Sequence, residues 1–209
     1  MEKLIDKVVE FINKNNGNLI IGISGHGASG KTTFTKHLCN QLNFNNYNIL
    51  NTDPYIISSQ YRKFTKASYS YEGNHYDYKV TACMPVAHEL NGLTRDIKCL
   101  KNGEDIFTID TSWMPSHLLK GGRKVTFVEG MSVAFVDKKL FDLTIYIFTD
   151  GQTELKRRSH RDIKERGGNL QSLKSSHAQR RIQYELFMHP RSKNFDFVVD
   201  DSDNQFKLL

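Results

Sequence analysis

The chain has 209 residues, of which 25% are charged and 38% hydrophobic, with a net charge of +6. These values are ordinary for a globular protein, and the length allows one α/β domain with a full core. No stretch approaches the roughly 20 apolar residues of a membrane span, and the first residues lack the basic-then-apolar order of a signal peptide. The three cysteines lack metal-ligand spacing and indicate reduced thiols. We therefore expect a single cytoplasmic domain over residues 1–209, without membrane association.

Apolar periodicity predicts helices alternating with strands. The predicted helices cover residues 4–13, 31–42, 86–101, a long segment after Asp150 and a segment ending near Met188. The predicted strands cover residues 19–24, 48–52, 124–128, 143–148 and 195–199, with a short one at 106–109. The polar, tyrosine-rich stretch 55–78 shows no clean period, so we predict a loop with one short helix there. This order predicts a three-layer α/β/α fold around a parallel five-stranded sheet.

A glycine-rich segment joins the first predicted strand to the helix that follows it. It matches the pattern G-x-x-x-x-G-K-[ST], in which backbone N–H groups surround a polyphosphate, the lysine reaches the β and γ oxygens, and the hydroxyl can bind Mg²⁺. A glycine-rich turn without a ligand is the alternative, but it would need neither the preceding strand nor the later carboxylates. The residues predicted to contact nucleotide are Gly25, His26, Gly27, Ala28, Ser29, Gly30, Lys31, Thr32 and Thr33.

Three carboxylates follow predicted strands, where ligands of open α/β sheets bind. Asp53 follows the second strand and is the candidate to face the γ-phosphate and accept a hydroxyl proton; a simple turn at Asp53-Pro54 is the alternative. Glu129 ends a buried strand and is a candidate to hold Mg²⁺ or its waters, together with Thr32 and Asp53; a turn carboxylate is the alternative. Asp150 is adequately explained as a helix cap.

Residues 152–193 contain eleven Lys or Arg against four Asp or Glu. A nucleic-acid surface is one interpretation, but no aromatic stacking platform is interleaved with the arginines, so we expect no nucleic-acid partner. Part of the segment is also explained as a salt-bridged helix surface. The excess of arginine favours a lid over about residues 157–170 whose guanidinium groups contact a transferring phosphoryl group.

Four motifs resemble the uridine kinase branch of the P-loop kinases, which also holds phosphoribulokinase and pantothenate kinase. They are the phosphate loop, Asp53-Pro54-Tyr55, Val128-Glu129-Gly130 with Ala134-Phe135, and the arginine-rich run Arg157–Gly167. The resemblance spans about residues 19–200. It implies a P-loop kinase fold and MgATP-dependent phosphorylation of a hydroxyl group on a small molecule. The implied catalytic residues are Asp53 as base, Lys31, and the lid arginines Arg158, Arg161 and Arg166.

The sequence departs from this family where the acceptor is chosen, because Thr81–Met84 contains no acid at the place of the family's ribose-binding aspartate. Uridine or cytidine is the leading acceptor, with another nucleoside, a sugar or a vitamin-like alcohol as alternatives. An NTP-binding regulatory protein is the alternative outside enzymes. Family members often form oligomers, so a homo-oligomer is an option for which the sequence identifies no interface. The residues predicted to face an acceptor are Tyr55, Tyr76, Asp77, Asp110 and Trp113.

Overall fold

The computed structural model describes the backbone of residues 1–166 and 170–209 and the side chains of residues 1–161 and 174–209. In chain order its main elements are α1 (Glu2–Lys14), β1 (Leu19–Ser24), α2 (Lys31–Gln41), β2 (Tyr47–Asn51), α3 (Ser59–Arg62), β3 (Lys66–Tyr71), β4 (Asn74–Lys79), α4 (Leu90–Lys101), β5 (Ile106–Phe107), β6 (Leu118–Leu119), β7 (Val125–Glu129), β8 (Leu143–Phe148), α5 (Gly151–Arg166), α6 (Leu170–Gln183), β9 (Phe197–Asp200) and β10 (Lys207–Leu208). Within these ranges no helix is both long and apolar enough to cross a bilayer.

A central sheet has the strand order β10-β9-β8-β1-β7-β2. The five strands from β9 to β2 are parallel, as the sequence predicts. β10 is a sixth, antiparallel edge strand that the sequence analysis missed. It contains only two residues, both exposed, and so carries no periodicity from which a strand is predicted.

Two apolar cores on opposite faces of the sheet explain the three-layer arrangement. Ile21 and Ile23 of β1 point to one face, where they pack with α1 and α2. Ile20 points to the other face and packs with α4. Neighbouring strand residues project to opposite faces, and β1 is buried along its whole length, so both faces of this central strand are apolar. The predicted α/β/α sandwich is confirmed.

The prediction of a loop over residues 55–78 is wrong in its second half, where β3 and β4 form an antiparallel hairpin. Glu72 and Gly73 have φ values of 49° and 77°, as in the two-residue turns that join twisted strands. The signal was present as tyrosines alternating with polar residues on both sides of this turn. The hairpin packs against the end of α6, where the Gln183 side chain donates to the Tyr69 hydroxyl and the Lys79 carbonyl.

Candidate active site

The glycine-rich loop between β1 and α2 has a backbone that only glycine accommodates at two positions. Gly25 has φ 146°, and a Cβ atom there would lie 1.8 Å from the Ile147 carbonyl oxygen. Gly30, directly before α2, has φ 97°, and its Cβ would lie 2.9 Å from Asp201 Oδ2. The loop therefore packs closely against the ends of β8 and β9, at the N-terminus of α2. A helix N-terminus of this kind attracts phosphate through its free N–H groups.

Lys31 is a buried cation at the centre of this loop. It is 8% exposed, and its Nζ donates to the His26 carbonyl at 2.9 Å. Burial lowers the pKa of Lys31, while the nearby Glu129 and Asp53 oppose that shift. An ammonium group with so little water around it gains most from an anionic ligand, so the loop has both the backbone and the charge that phosphate binding requires.

The sheet register brings the predicted metal and base residues to one edge. Asn51 of β2 and Ile23 of β1 both pair with Glu129, so the carboxyl ends of these strands are level. Asp53 begins the turn directly after β2 and is exposed. Thr32 Oγ1 donates to both carboxylate oxygens of Glu129, at 3.3 and 3.4 Å.

Glu129 is itself 6% exposed. Burial raises the pKa of its carboxyl, and the adjacent Lys31 opposes that shift. A buried carboxylate, a hydroxyl and a second carboxylate nearby form a set of hard oxygen donors, which is the kind that Mg²⁺ takes. The residues present therefore fit the predicted metal.

Arginines from α5 and α6 line the same cleft as the glycine-rich loop. Arg158 and Arg161 belong to α5, and Arg180 belongs to α6. Arg180 reaches the loop itself, because its Nη2 would lie 3.0 Å from a Cβ placed on Gly27. Arg166, the third predicted lid arginine, has its side chain outside the described part of the chain. Residues 167–169 of the predicted lid lie outside it as well.

Arg157 anchors the start of α5 to the glycine-rich loop. Its guanidinium group donates to the Ala28 carbonyl at 3.4 Å and to the Asp201 carboxylate and carbonyl at 3.0 Å each. It also donates to Asn204 Oδ1 at 2.7 Å. Arg157 therefore connects the loop to the segment between β9 and β10. It is not one of the three arginines that the sequence analysis assigned to the lid.

A buried carboxylate joins the two arginine-bearing helices. Glu154 of α5 is 1% exposed, and its oxygens lie 3.6 Å from Arg158 Nη1, 3.5 Å from Arg180 Nε and 3.3 Å from Arg181 Nη1. Burial opposes ionisation of Glu154, yet the neighbouring His26, Arg180 and Arg158 bring the pKa of its carboxyl below the ordinary value. One buried charge thus orients guanidinium groups from both helices toward the loop.

The His26 side chain does not face the cleft, although His26 belongs to the predicted nucleotide loop. The ring is fully buried, accepts from the Thr149 backbone N–H at 2.9 Å and lies 3.7 Å from Glu154. Burial lowers its pKa to about 4. Ser29 is also fully buried. Any nucleotide contact from these two residues must therefore come from their backbone.

The cleft has a volume of about 1870 Å³, and the residues predicted to face an acceptor divide into three groups around it. Asp110 and Trp113 line it. Tyr76 and Asp77 lie on the β3–β4 hairpin and are not among its lining residues; Asp77 instead pairs with Lys66 at 3.3 Å. Tyr55 is fully buried.

The prediction for Tyr55 is wrong because its hydroxyl points into the protein and donates to Asp96 Oδ2 at 2.5 Å. The lining residues that sequence reasoning missed include Arg62 and Arg180. Arg180 lies in the basic segment 152–193, but the sequence does not show which arginines of that segment reach the cleft. Nothing in the sequence around Arg62 singled it out.

The site is that of a P-loop kinase. It combines a phosphate loop at the end of a buried strand with carboxylates at neighbouring strand ends and arginines on two covering helices. The chain belongs to the Phosphoribulokinase / Uridine kinase family, whose model matches residues 20–205. It is therefore a phosphotransferase with an alcohol group as acceptor, and the family implies ATP as the phosphoryl donor. Membership confirms the resemblance drawn from the four sequence motifs.

Relatives with curated names fall on both branches of that family. The chain is 28% identical to a uridine kinase of Staphylococcus epidermidis over 194 residues, which cover 89% of each chain. It is 24% identical over 215 residues to the chloroplastic phosphoribulokinase of Arabidopsis thaliana, covering 91% of this chain and 53% of the plant protein. The chain thus spans about half the length of the plant relative.

Two solved structures are similar to the whole fold. Phosphoribulokinase from Rhodobacter spheroides has a TM-score of 0.62 and 16% identity, covering 89% of this chain and 71% of that one. D-glycerate 3-kinase from Cryptococcus neoformans var. grubii has a TM-score of 0.61 and 9% identity, covering 99% of both chains. At these identities the structural similarity establishes the fold and gives no information about the substrate.

Proposed function

We propose that this protein, as one kinase domain over residues 1–209, transfers the γ-phosphoryl group of MgATP to a hydroxyl of a small molecule. The observation that carries the proposal is the meeting of Lys31, Thr32, Asp53 and Glu129 at one edge of the sheet. Such a grouping combines phosphate binding, metal ligation and a free carboxylate, which are the parts that in-line phosphoryl transfer needs.

Asp53 acts as the base in this proposal. Its carboxylate accepts the proton of the acceptor hydroxyl as the new O–P bond forms, while the bridging P–O bond breaks and ADP leaves. Lys31 and the loop N–H groups hold the phosphates, and Arg158 and Arg161 stabilise the charge that spreads over the equatorial oxygens. Thr32, Glu129 and Asp53 would hold Mg²⁺, which neutralises phosphate charge when bound.

The proposed acceptor falls into one of two classes. A nucleoside, uridine or cytidine first, is supported by the uridine kinase relatives and by two exposed aromatic rings on the cleft wall, Tyr61 and Trp113. Such rings can stack on a base. A sugar or another small alcohol is supported by the segment Thr81–Met84, which contains no acid to hold a ribose. Cys83 within this segment is fully buried.

The test is acceptor-dependent ADP release by the wild-type protein and by Asp53→Asn at fixed salt. We expect the variant to retain MgATP binding, because Thr32 and Glu129 would still hold the metal, and to lose about 10²- to 10⁴-fold in turnover, the usual contribution of a general base. Glu89→Gln, which removes another exposed carboxylate of the same cleft, is the matched control and should keep kcat. Near-full turnover by Asp53→Asn would show that the base is elsewhere.

A further inference from the structure

The His26 imidazole is a buried group beside the glycine-rich loop that the proposed phosphoryl transfer does not use. Its ring has neighbours on three sides: Thr149 follows β8, Glu154 belongs to α5 and Tyr184 follows α6. Nε2 accepts from the Thr149 backbone N–H at 2.9 Å, and Nδ1 lies 3.7 Å from Glu154 Oε2. The Tyr184 ring packs edge-on at a centroid separation of 4.8 Å. These contacts hold the imidazole in one orientation.

The neighbours of the two ring nitrogens decide which one carries the proton. Nδ1 lies 2.9 Å from the Gly27 carbonyl oxygen and faces the ionised Glu154, and both of these groups only accept hydrogen bonds. Nε2 lies closer to the Thr149 N–H, at 2.9 Å, than to the Thr149 carbonyl oxygen, at 3.2 Å. Burial lowers the pKa of His26 to about 4, so the ring is neutral at physiological pH. Its single N–H proton is therefore on Nδ1, which donates to the Gly27 carbonyl.

This hydrogen bond sets the direction of the peptide group between Gly27 and Ala28. A trans peptide group points its carbonyl and its N–H in opposite directions. With the Gly27 carbonyl turned toward His26, the Ala28 N–H points away from the ring. Within the part of the chain that the structure describes, that N–H has no hydrogen-bond acceptor. Since Gly27 and Ala28 both line the cleft, the N–H is placed for a ligand.

The backbone around Ala28 adopts this direction against its own preference. Ala28 has φ 65°, a left-handed conformation that is unfavourable for alanine and persists only where the surroundings hold it. The His26 carbonyl oxygen adds to the restraint, because it accepts from Lys31 Nζ at 2.9 Å and from the Ser29 N–H at 3.3 Å. Backbone N–H groups turned to one side of such a loop form a concavity that binds phosphate.

We propose that His26 is a positioning residue for the nucleotide: its Nδ1–H holds the Gly27 carbonyl inward and so presents the Ala28 N–H to a phosphate group. This inference rests on MgATP being the phosphoryl donor of the proposed function. The imidazole itself contacts no phosphate and acts through the Gly27–Ala28 peptide group. The loop pattern G-x-x-x-x-G-K-[ST] leaves position 26 open, so the pattern does not encode this role.

Two substitutions separate the Nδ1 hydrogen bond from the loss of the ring. In His26→Asn the side-chain amide can place an N–H group near the position of Nδ1 and still donate to the Gly27 carbonyl. In His26→Gln the longer amide extends toward Thr149, as Nε2 does, and leaves that carbonyl without its donor. His88→Gln is the control for losing a buried histidine, because His88 bonds to Ser132 and Ala82 and not to the loop.

Isothermal titration of MgADP into each folded variant measures the effect without turnover. We expect His26→Gln to weaken MgADP binding about ten- to a hundredfold, as the loss of a hydrogen bond to a charged group does. His26→Asn should restore most of that affinity, and His88→Gln should bind MgADP as the wild type does. Equal weakening by the two His26 variants, or no weakening by His26→Gln, would overturn the inference.

Nuclear magnetic resonance of the wild-type protein tests the same hydrogen bond and needs no variant to fold. Proton–nitrogen correlation spectra of histidine side chains distinguish a proton on Nδ1 from one on Nε2, and the His26 signals are identified by their contact with the Tyr184 ring. We expect a neutral ring with its proton on Nδ1, whose resonance shifts when MgADP is added. A proton on Nε2, or a resonance that MgADP leaves unchanged, would contradict the proposed positioning.

Failure of this inference and failure of the proposed function give different results. If both His26 variants weaken MgADP equally while acceptors still raise ADP release by the wild type, the inference is wrong and the kinase function stands. If His26→Gln alone weakens MgADP and no acceptor raises ADP release, the inference stands and the proposed phosphoryl transfer is wrong.

Discussion

Tyr55→Phe tests whether Tyr55 belongs to the protein interior or to the acceptor site. The Tyr55 hydroxyl donates to Asp96 Oδ2 at 2.5 Å, and Arg95 Nε donates to the other oxygen of that carboxylate at 2.7 Å. Asp96 is 2% exposed, so no water replaces the lost donor readily. Burial, followed by the bond to Asp96, raises the pKa of Tyr55 well above its ordinary value, and the Tyr55 hydroxyl therefore stays protonated and donates at any physiological pH.

The expected magnitude follows from these contacts. A hydrogen bond to a charged group contributes about 1.5–3 kcal/mol to the free energy of unfolding. For a chain of this size each kcal/mol shifts Tm by about 2–4 °C. Tyr55→Phe should therefore lower Tm by roughly 3–12 °C, while acceptor KM stays within about twofold of wild type because the hydroxyl does not reach the cleft.

Circular dichroism melts and acceptor titrations of ADP release measure the two quantities. Tyr61→Phe is the matched control, since Tyr61 is 63% exposed and lines the cleft; its Tm should not change. An unchanged Tm for Tyr55→Phe, together with a tenfold rise in acceptor KM, would show that the hydroxyl contacts substrate and that the reasoning is wrong.

Two further predictions concern buried charge. Glu154→Gln leaves the guanidinium groups around it without their buried counter-charge and should lower the free energy of unfolding by about 3–5 kcal/mol, measured by urea titration; a loss below about 1 kcal/mol, the range of exposed pairs, would contradict the buried network. Buried His26 and His88 have pKa values lowered from 6.5 to about 4, burial being the main cause for each. The unfolded chain therefore binds protons first, so stability is complete above about pH 6.5 and falls by up to about 3 kcal/mol per histidine toward pH 4. Urea midpoints recorded between pH 4 and 8 check this, and a flat profile would refute it.

Local sequence determined the parts of this protein whose physics is local. The loop between Gly25 and Thr33 is recognisable because its glycines, lysine and hydroxyl must stand at fixed spacing to surround a phosphate. β1 and β8 are recognisable because strands buried on both faces are continuous apolar runs. The placement of Asp53 and Glu129 at one sheet edge followed from strand ends alone, because parallel strands end at the same edge.

Tertiary structure decided which side chains face the cleft. Tyr55 follows Asp53 by two residues, yet the turn after β2 directs its ring into the core toward Asp96. Arg180 is distant in sequence from the glycine-rich loop and reaches Gly27 only because Glu154 holds α5 and α6 together. Arg62 acquires its place from two carbonyls, one of them eighteen residues away. Such contacts depend on how elements pack, and no spacing along the chain encodes that packing locally.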